Sequence, residues 1–273
     1  MSDRSLSFAR LHERGNPLVL PNAWDAASAR IFEAAGFPAL GTSSAGMAYA
    51  LGYPDGERMN VDEMIAAIAR ITRTVRIYVT ADVEAGYAAD AGALVAIMER
   101  VKSAGAIGVN LEDWNVGAGG PFALDVAQAR IAAVKSHFGE ALFINARSDL
   151  YLQNVGDPGT RFEVTVERLR SFIGAGADGV FVPGVSDPAT IRALVDAARP
   201  TPLNVLASPA MPAVGELRAL GVGRVSVGPG PMRRVLGETR AIARELREHG
   251  TFSFLQDERA IPYAELNTLF ERR

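Results

Sequence analysis

Ile77-Tyr78-Val79-Thr80-Ala81-Asp82-Val83-Glu84 is a run of strand-forming residues that ends abruptly in carboxylates. Carboxylates are costly to bury without a purpose. The same pattern recurs at Pro21-Asn22-Ala23-Trp24-Asp25, at Gly41-Thr42-Ser43-Ser44-Ala45-Gly46, at Asn110-Leu111-Glu112-Asp113 and at Asn145-Ala146-Arg147-Ser148-Asp149. Five of eight strand-like segments therefore close on polar or charged groups. Apolar strands with polar C-terminal ends are how a parallel barrel builds a site at one mouth.

Working outward, strands are expected near Leu18–Pro21, Ala39–Thr42, Ile77–Ala81, Ile107–Leu111, Leu142–Ala146, Gly179–Val182, Leu203–Leu206 and Val225–Val227. Several are nearly continuous apolar runs, as parallel strands covered on both faces should be. Helical spacing fills the segments between them, at Val61–Ile71, Ala91–Ser103, Val126–Phe138 and Phe162–Ala175. Glycine often follows a helix and precedes a strand, at Gly36, Gly105, Gly176 and Gly221, the usual helix-stop chemistry. Eight strands alternating with helices predict an α/β chain folded as a (β/α)8 TIM-type barrel. One barrel domain over residues 1–273 is expected, with 234–273 as a C-terminal helical extension. An open doubly wound sheet is the rival, but Pro21-Asn22-Ala23-Trp24 is no phosphate-binding glycine fingerprint. A helix over Val235–Arg247 and the further tail point to packing on a neighbouring subunit.

The 273 residues are 48% hydrophobic and 22% charged, with a net charge of −3. Without a long Lys/Arg run, neither nucleic acid nor an anionic membrane is an expected partner. Arg70, Arg73 and Arg76 come nearest to a basic cluster, and a solvated helix end accounts for them. The absence of cysteine excludes disulfides, zinc–thiolate sites and cysteine nucleophiles. No signal-peptide core or 18-residue apolar run is present, so a cytoplasmic protein is expected.

Asp82, Glu84 and Glu112 carry the strongest chemical signal. Residues two apart on an extended strand point the same way, so Asp82 and Glu84 are expected to face one cavity, with Glu112 on the next strand. An all-oxygen set suits Mg²⁺ or Mn²⁺; the competing reading is capping or solvated carboxylates. Arg147 has the fork geometry to hold a substrate carboxylate, or else forms a structural ion pair with Asp149 or a barrel carboxylate. Thr42–Gly46 offers backbone N–H groups to an anion, or is only a Ser-rich turn. Asp55 sits among turn-forming residues, and Trp24 is either packing or the wall of a pocket. His12, His137 and His249 fall outside every cluster and receive no role.

Taken together, Asn22–Ala29, the Ser-rich turn, Gly52-x-Pro54-Asp55, Ala81-Asp82-x-Glu84, Asn110-Leu111-Glu112-Asp113 and Asn145-Ala146-Arg147-x-Asp149 resemble the isocitrate lyase/phosphoenolpyruvate mutase superfamily, in that family's order from about residue 17 to 240. The resemblance implies a (β/α)8 barrel in a homodimer or homotetramer that exchanges a C-terminal helix. It also implies Mg²⁺ and a small 2-oxo carboxylic acid substrate. Carried over by position, Asp82 ligates Mg²⁺ while Glu84 and Glu112 hold its waters. Ser43, Ser44 and Ala45 receive the substrate carboxylate through backbone N–H groups, and Arg147 binds the same end. Trp24 walls the pocket, Asp55 lies beside the reacting group, and Asn204 completes the substrate contacts.

The departures are as informative. Lyases of the family carry a Lys-x-Cys-Gly-His loop after the fourth strand, where this chain has Trp114-Asn115-Val116-Gly117-Ala118-Gly119-Gly120. The Lys- and Asn-bearing loop of the phosphonate branch is missing too. Pro183 stands where those branches place His or Glu. Cleavage of isocitrate by the usual route is thus disfavoured. The expected activity is a Mg²⁺-dependent C–C bond cleavage through an enolate, with decarboxylation needing least from absent acids. P–C bond chemistry, to which Arg233 and Arg234 could contribute charge, and a catalytically silent 2-oxo acid binding protein are the alternatives.

Overall fold

Pro21 splits the first strand in two, and the barrel closes around the split. The computed structural model describes residues 2–12 and 15–271. Its strands are β1 (Leu18–Leu20), β2 (Asn22–Ala23), β3 (Ala39–Thr42), β4 (Tyr78–Asp82), β5 (Gly108–Glu112), β6 (Trp114–Asn115), β7 (Gly120–Pro121), β8 (Phe143–Arg147), β9 (Gly179–Val182), β10 (Leu203–Leu206) and β11 (Arg224–Ser226). Leu18–Leu20 pairs in parallel with Arg224–Ser226, while Asn22–Ala23 pairs with Gly41–Thr42 on the other side. Proline has no N–H to give a ladder, yet the Pro21 carbonyl still accepts from Gly41 N at 2.9 Å. All neighbours in the nine-segment sheet are parallel. With the split strand taken as one stave, this is the expected (β/α)8 barrel. β6 and β7 form a separate antiparallel hairpin.

Strand alternation sorts side chains into two cores. Leu40, Val79, Ala81, Val109, Leu111, Ile144, Ala146, Val180, Val182, Val205 and Val225 face outward to the helices. On that layer α4 (Val61–Thr74) buries Met64, Ile68 and Ile71, a stripe at helical spacing, each contributing about 1.5–3 kcal/mol through burial. The interior is different. Leu18, Leu20, Ala39 and Phe143 pack at its base against Phe8 of α1 (Ser2–Ala9). Above them lies a polar layer of Thr80, Asn110, Asn145, Asn204, Arg224 and Ser226, all buried.

The other helices are α2 (Ala26–Ala34), α3 (Ser44–Ala50), α5 (Ala91–Ser103), α6 (Leu124–Phe138), α7 (Arg161–Gly174), α8 (Pro188–Ala198), α9 (Val214–Leu220), α10 (Gly230–Glu248) and α11 (Tyr263–Glu271). Met232 is the one buried residue of α10, and Val235, Leu236 and Leu246 stay exposed. α11 lies against α2, where Arg30 Nε donates to the Leu269 carbonyl at 2.8 Å. Among the described residues, no helix is long and apolar enough to cross a membrane.

Candidate active site

The last inward-facing residues of three consecutive staves are Asp82, Glu112 and Arg147. Parallel register sets Asp82 beside Asn110 and Glu112 beside Arg147. Arg147 Nη1 lies 2.9 Å from Glu112 Oε2 and 3.9 Å from Asp82 Oδ1. Its Nε and Nη2 donate to the two oxygens of Asp149 at 2.5 and 2.8 Å. The guanidinium carbon sits 5.6 Å from the centroid of the Phe181 ring. Burial works against the Arg147 charge, and the carboxylates of Glu112, Asp149 and Asp82 outweigh it, holding the group firmly protonated. Burial also pushes the Glu112 carboxyl well above the usual carboxylate range, with Arg147 opposing. The structural ion pair anticipated for Arg147 is thus present, with Asp149 and a barrel carboxylate together. Guanidinium has five N–H donors; three are engaged by Asp149 and Glu112, which leaves two for a ligand.

Asp82 is fixed from the neighbouring stave. Its backbone N–H donates to Thr42 Oγ1 at 2.9 Å, and its Oδ2 accepts from Ser44 Oγ at 2.8 Å and Ser44 N at 3.3 Å. Oδ1 is buried without a hydrogen-bond partner. An orphaned carboxylate oxygen beside further carboxylates fits a hard divalent cation, which proteins often hold through one or two carboxylates plus water and substrate. It does not make an all-protein cage: no three carboxylates or imidazoles converge at ligand distance among the described residues.

Glu84 departs from the expected alternation. β4 ends at Asp82, and Glu84 adopts a left-handed φ of 52°, so the rule that residues two apart share a face does not reach it. Its carboxylate turns to the loop, accepting from Tyr87 Oη at 2.7 Å and Glu57 N at 2.6 Å. Glu57 in turn accepts from Tyr87 N at 2.7 Å. Burial raises Glu84 to about 7, offset in part by those donors. Asp55 lies exposed on the loop between α3 and α4. Partial desolvation raises its pKa, and the Asp82 charge raises it further.

The Ser-rich turn does two jobs not foreseen for it. Ser43 N donates to the Ala23 carbonyl at 2.9 Å, and Ser43 Oγ caps α3 by accepting from Gly46 N at 3.1 Å. Ser44 is spent on Asp82. Of the three backbone donors expected to face the substrate, Ala45 N–H remains, among the first-turn groups that have no acceptor within a helix. Trp24 lines an open groove of about 690 Å³ with Asp25, Ala50, Leu51, Ala66 and Arg70; Asp82, Glu84 and Glu112 do not line that groove. Asn204 sits in the interior polar layer, its Nδ2 3.3 Å from Ser226 Oγ. Neither residue is brought into the Asp82–Arg147 cluster.

Over the mouth, the segment 114–121 forms the β6–β7 hairpin. A Cβ built on Gly56 would lie 4.0 Å from the Val116 methyls, so the hairpin meets the Asp55 loop. Residues 114–122 bring no ionisable side chain to this cover. Pro183 follows β9, and Gly184 packs against the 151–152 backbone so tightly that a Cβ would sit 2.7 Å from Leu152 N. Sequence reasoning missed Glu57, Tyr87 and Phe181. The first two lie in Gly-rich loops with no periodicity to place them.

A family model described as phosphoenolpyruvate phosphomutase matches residues 8–247. An uncharacterized protein of Mycobacterium tuberculosis is 37% identical over 96% of this chain and 95% of its own length. An oxaloacetate decarboxylase of Rhodopseudomonas palustris is 28% identical over 85% of this chain and 80% of its own. A crystal structure from Burkholderia cenocepacia described as a phosphonomutase is 39% identical, covers 89% of this chain and 99% of that one, and superposes with a TM-score of 0.84.

Proposed function

The chain belongs to the phosphoenolpyruvate phosphomutase family, in the isocitrate lyase superfamily, and from that premise we propose that it is a lyase cleaving a C–C bond of a small 2-oxo dicarboxylic acid. The observation that carries the proposal is the pairing of Asp82, with its free Oδ1, and Arg147, with two uncommitted N–H groups, at the barrel mouth. One carboxylate with a lone oxygen suits a cation, and one guanidinium suits a carboxylate.

Asp82 would hold Mg²⁺ (or Mn²⁺), with Glu112 next to it across Arg147; Glu84, whose oxygens are taken by Tyr87 and Glu57, stands outside that pair. Bound there, the cation supplies Lewis-acid stabilisation for negative charge developing on the 2-oxo group. Arg147 and the Ala45 N–H bind and orient the adjoining carboxylate, and Asp149 keeps the guanidinium in place. Ser44 holds Asp82 in the orientation that leaves Oδ1 bare. The β6–β7 hairpin and the Asp55 loop meet at Gly56 and Val116.

Decarboxylation is the reaction that this set serves best. The bond between the distal carboxylate and the carbon beside the carbonyl breaks, its electron pair passes into the enolate, and carbon dioxide leaves. No positioned acid is required to expel that leaving group, in keeping with a hairpin that carries none. Oxaloacetate-like acids fit the proposal, and the Rhodopseudomonas relative bears a name of that activity.

P–C bond chemistry is the second reading, favoured by the similarity to the Burkholderia phosphonomutase structure. Arg233 and Arg234 give it little help, since both are exposed on α10 and Arg234 pairs with Glu238 at 3.3 Å. The exposed stripe of Val235, Leu236 and Leu246 supports assembly with a second copy that covers α10.

An NMR time course with Mg²⁺, a chelator control and Asp82→Ala tests the proposal. The panel is oxaloacetate, its alkylated analogues and phosphonopyruvate. Chelator-sensitive release of carbon dioxide and pyruvate-type product, lost in Asp82→Ala, is the expected result. Turnover of phosphonopyruvate alone would install the second reading. Binding without turnover of any compound would reduce the protein to a 2-oxo acid receptor.

A further inference from the structure

At the opposite end of the barrel, five arginines from four segments of the chain converge on one rim. Arg30 of α2, Arg70 and Arg73 of α4, and Arg76 in the segment entering β4 line a cavity of about 400 Å³ with Phe270 of α11. Arg4 of α1 joins Arg73 and Arg76 along an adjoining cavity, where its Nη2 lies 3.4 Å from the Arg76 carbonyl. We propose that this rim is a binding site for a small phosphate-bearing metabolite.

Charge balance makes the case. Glu33 pairs with Arg30 and accepts from Arg76 N at 2.6 Å. Among the described residues, the Arg70, Arg73 and Arg76 side chains have no carboxylate partner. Glu63, further along α4, accepts instead from Tyr53 Oη at 2.8 Å. Like charges one helical turn apart, as at Arg70 and Arg73, destabilise a helix. The dipole at the C-terminal end of α4 accounts for Arg73 in its last turn. It does not account for Arg76 and Arg30, which arrive from other elements, or for the concave space between them. In a chain of net charge −3, three unanswered cations around one cavity form a focused positive field.

Phosphate is the anion that such a site suits. Planar guanidinium forks engage its oxygens in pairs of hydrogen bonds, and several phosphoryl groups match several unpaired cations. The cavity falls within the range of about 300–1,000 Å³ usual for small-ligand sites. Phe270, 40% exposed, offers a flat apolar wall. Because α11 supplies that wall and also accepts from Arg30 through Leu269, a bound ligand would fasten the C-terminal helix to the barrel.

Isothermal titration calorimetry with inorganic pyrophosphate, ATP and citrate, on metal-free protein, tests the proposal. Arg70→Gln/Arg73→Gln is the decisive variant. Both side chains are exposed, and an unchanged thermal melt verifies the fold; Arg76→Gln replaces the pair if it does not hold. Saturable binding of pyrophosphate or ATP, weakened at least tenfold in the variant, is expected. Equal affinities would assign the site to phosphoryl groups alone. Tighter ATP binding that Phe270→Ala erases would assign it to a nucleotide. Absence of saturable binding, citrate binding as tight as pyrophosphate, or wild-type affinity in the variant would overturn the proposal.

Discussion

Arg147 and Asp149, two residues apart at the end of β8, face each other edge to edge through two hydrogen bonds, Nε to Oδ1 at 2.5 Å and Nη2 to Oδ2 at 2.8 Å. Asp149 is itself held, its backbone N–H donating to Asp113 Oδ1 at 2.9 Å, while Asp113 pairs with Arg168 Nε at 2.6 Å. Asparagine at 149 keeps the shape and loses one acceptor. Asp149→Asn is expected to lower kcat/KM for the 2-oxo acid about 10–100-fold, the order that a misplaced binding group costs, with KM carrying much of the loss. Steady-state kinetics beside a thermal melt decide it; wild-type values would show that the clamp does not position Arg147.

Ser44 offers a gentler handle on the same site. Ser44→Ala removes the 2.8 Å hydroxyl donor to Asp82 Oδ2 and leaves the fold's backbone contacts intact. Groups that orient a metal-binding carboxylate are worth about 10–100-fold in affinity. The Mg²⁺ concentration for half-maximal activity should rise by that order while activity at saturating Mg²⁺ changes less. A parallel fall at all Mg²⁺ concentrations would contradict the role assigned to Asp82.

Glu84 predicts a pH slope of stability. Its folded pKa, about 7, lies above the ordinary 4.5 because of burial. Between those values the folded state binds more proton than the unfolded one. Stability from this group is therefore full below about 4.5, falls as pH rises, and levels off above 7, with a slope of at most about 1.4 kcal/mol per pH unit. Denaturant unfolding of metal-free protein at pH 5 and pH 8 should show the decline, and Glu84→Gln should flatten it. An unchanged slope in the variant would place the titration elsewhere.

The exposed stripe on α10 makes a prediction about assembly. Val235→Glu with Leu246→Glu puts charge where a second copy is proposed to pack, and both side chains are exposed in the single chain. Sedimentation velocity should show the wild type as a dimer or larger and the variant shifted toward monomer. A wild-type monomer at micromolar concentration would remove the basis for that packing.

The eight staves were readable because each carries its own apolar run; the expected Gly179–Val182 and Leu203–Leu206 coincide with β9 and β10. The mouth residues Asp82, Glu112 and Arg147 were readable for the same reason, since alternation along a regular strand fixes which side chains point inward. Legibility failed where the strand stopped. Glu84 lies two residues past β4 in a left-handed turn, a conformation that composition alone does not announce for glutamate. Ser43 was misread because its backbone N–H was committed to the Ala23 carbonyl of the neighbouring strand β2, an extension of the ladder that residue type alone does not announce. Trp24 and Asn204 followed a pattern of position without a pattern of orientation.

The split at Pro21 has a consequence for how the chain comes to be folded. Its two flanking segments are stitched to the far end of the sequence, Leu18 N to the Gly223 carbonyl and Val227 N to Asn22 Oδ1, the latter across 205 residues. A ribosome must deliver nearly the whole chain before these partners can meet. Until then, the first segments have a free edge on one side, of the kind that invites pairing with other chains. Closing so long a loop carries an entropic cost before any contact rewards it. The seam is therefore expected to be the last part of the sheet to form, and a nascent chain stalled before residue 224 would expose an open, adhesive sheet lacking only its closing stave.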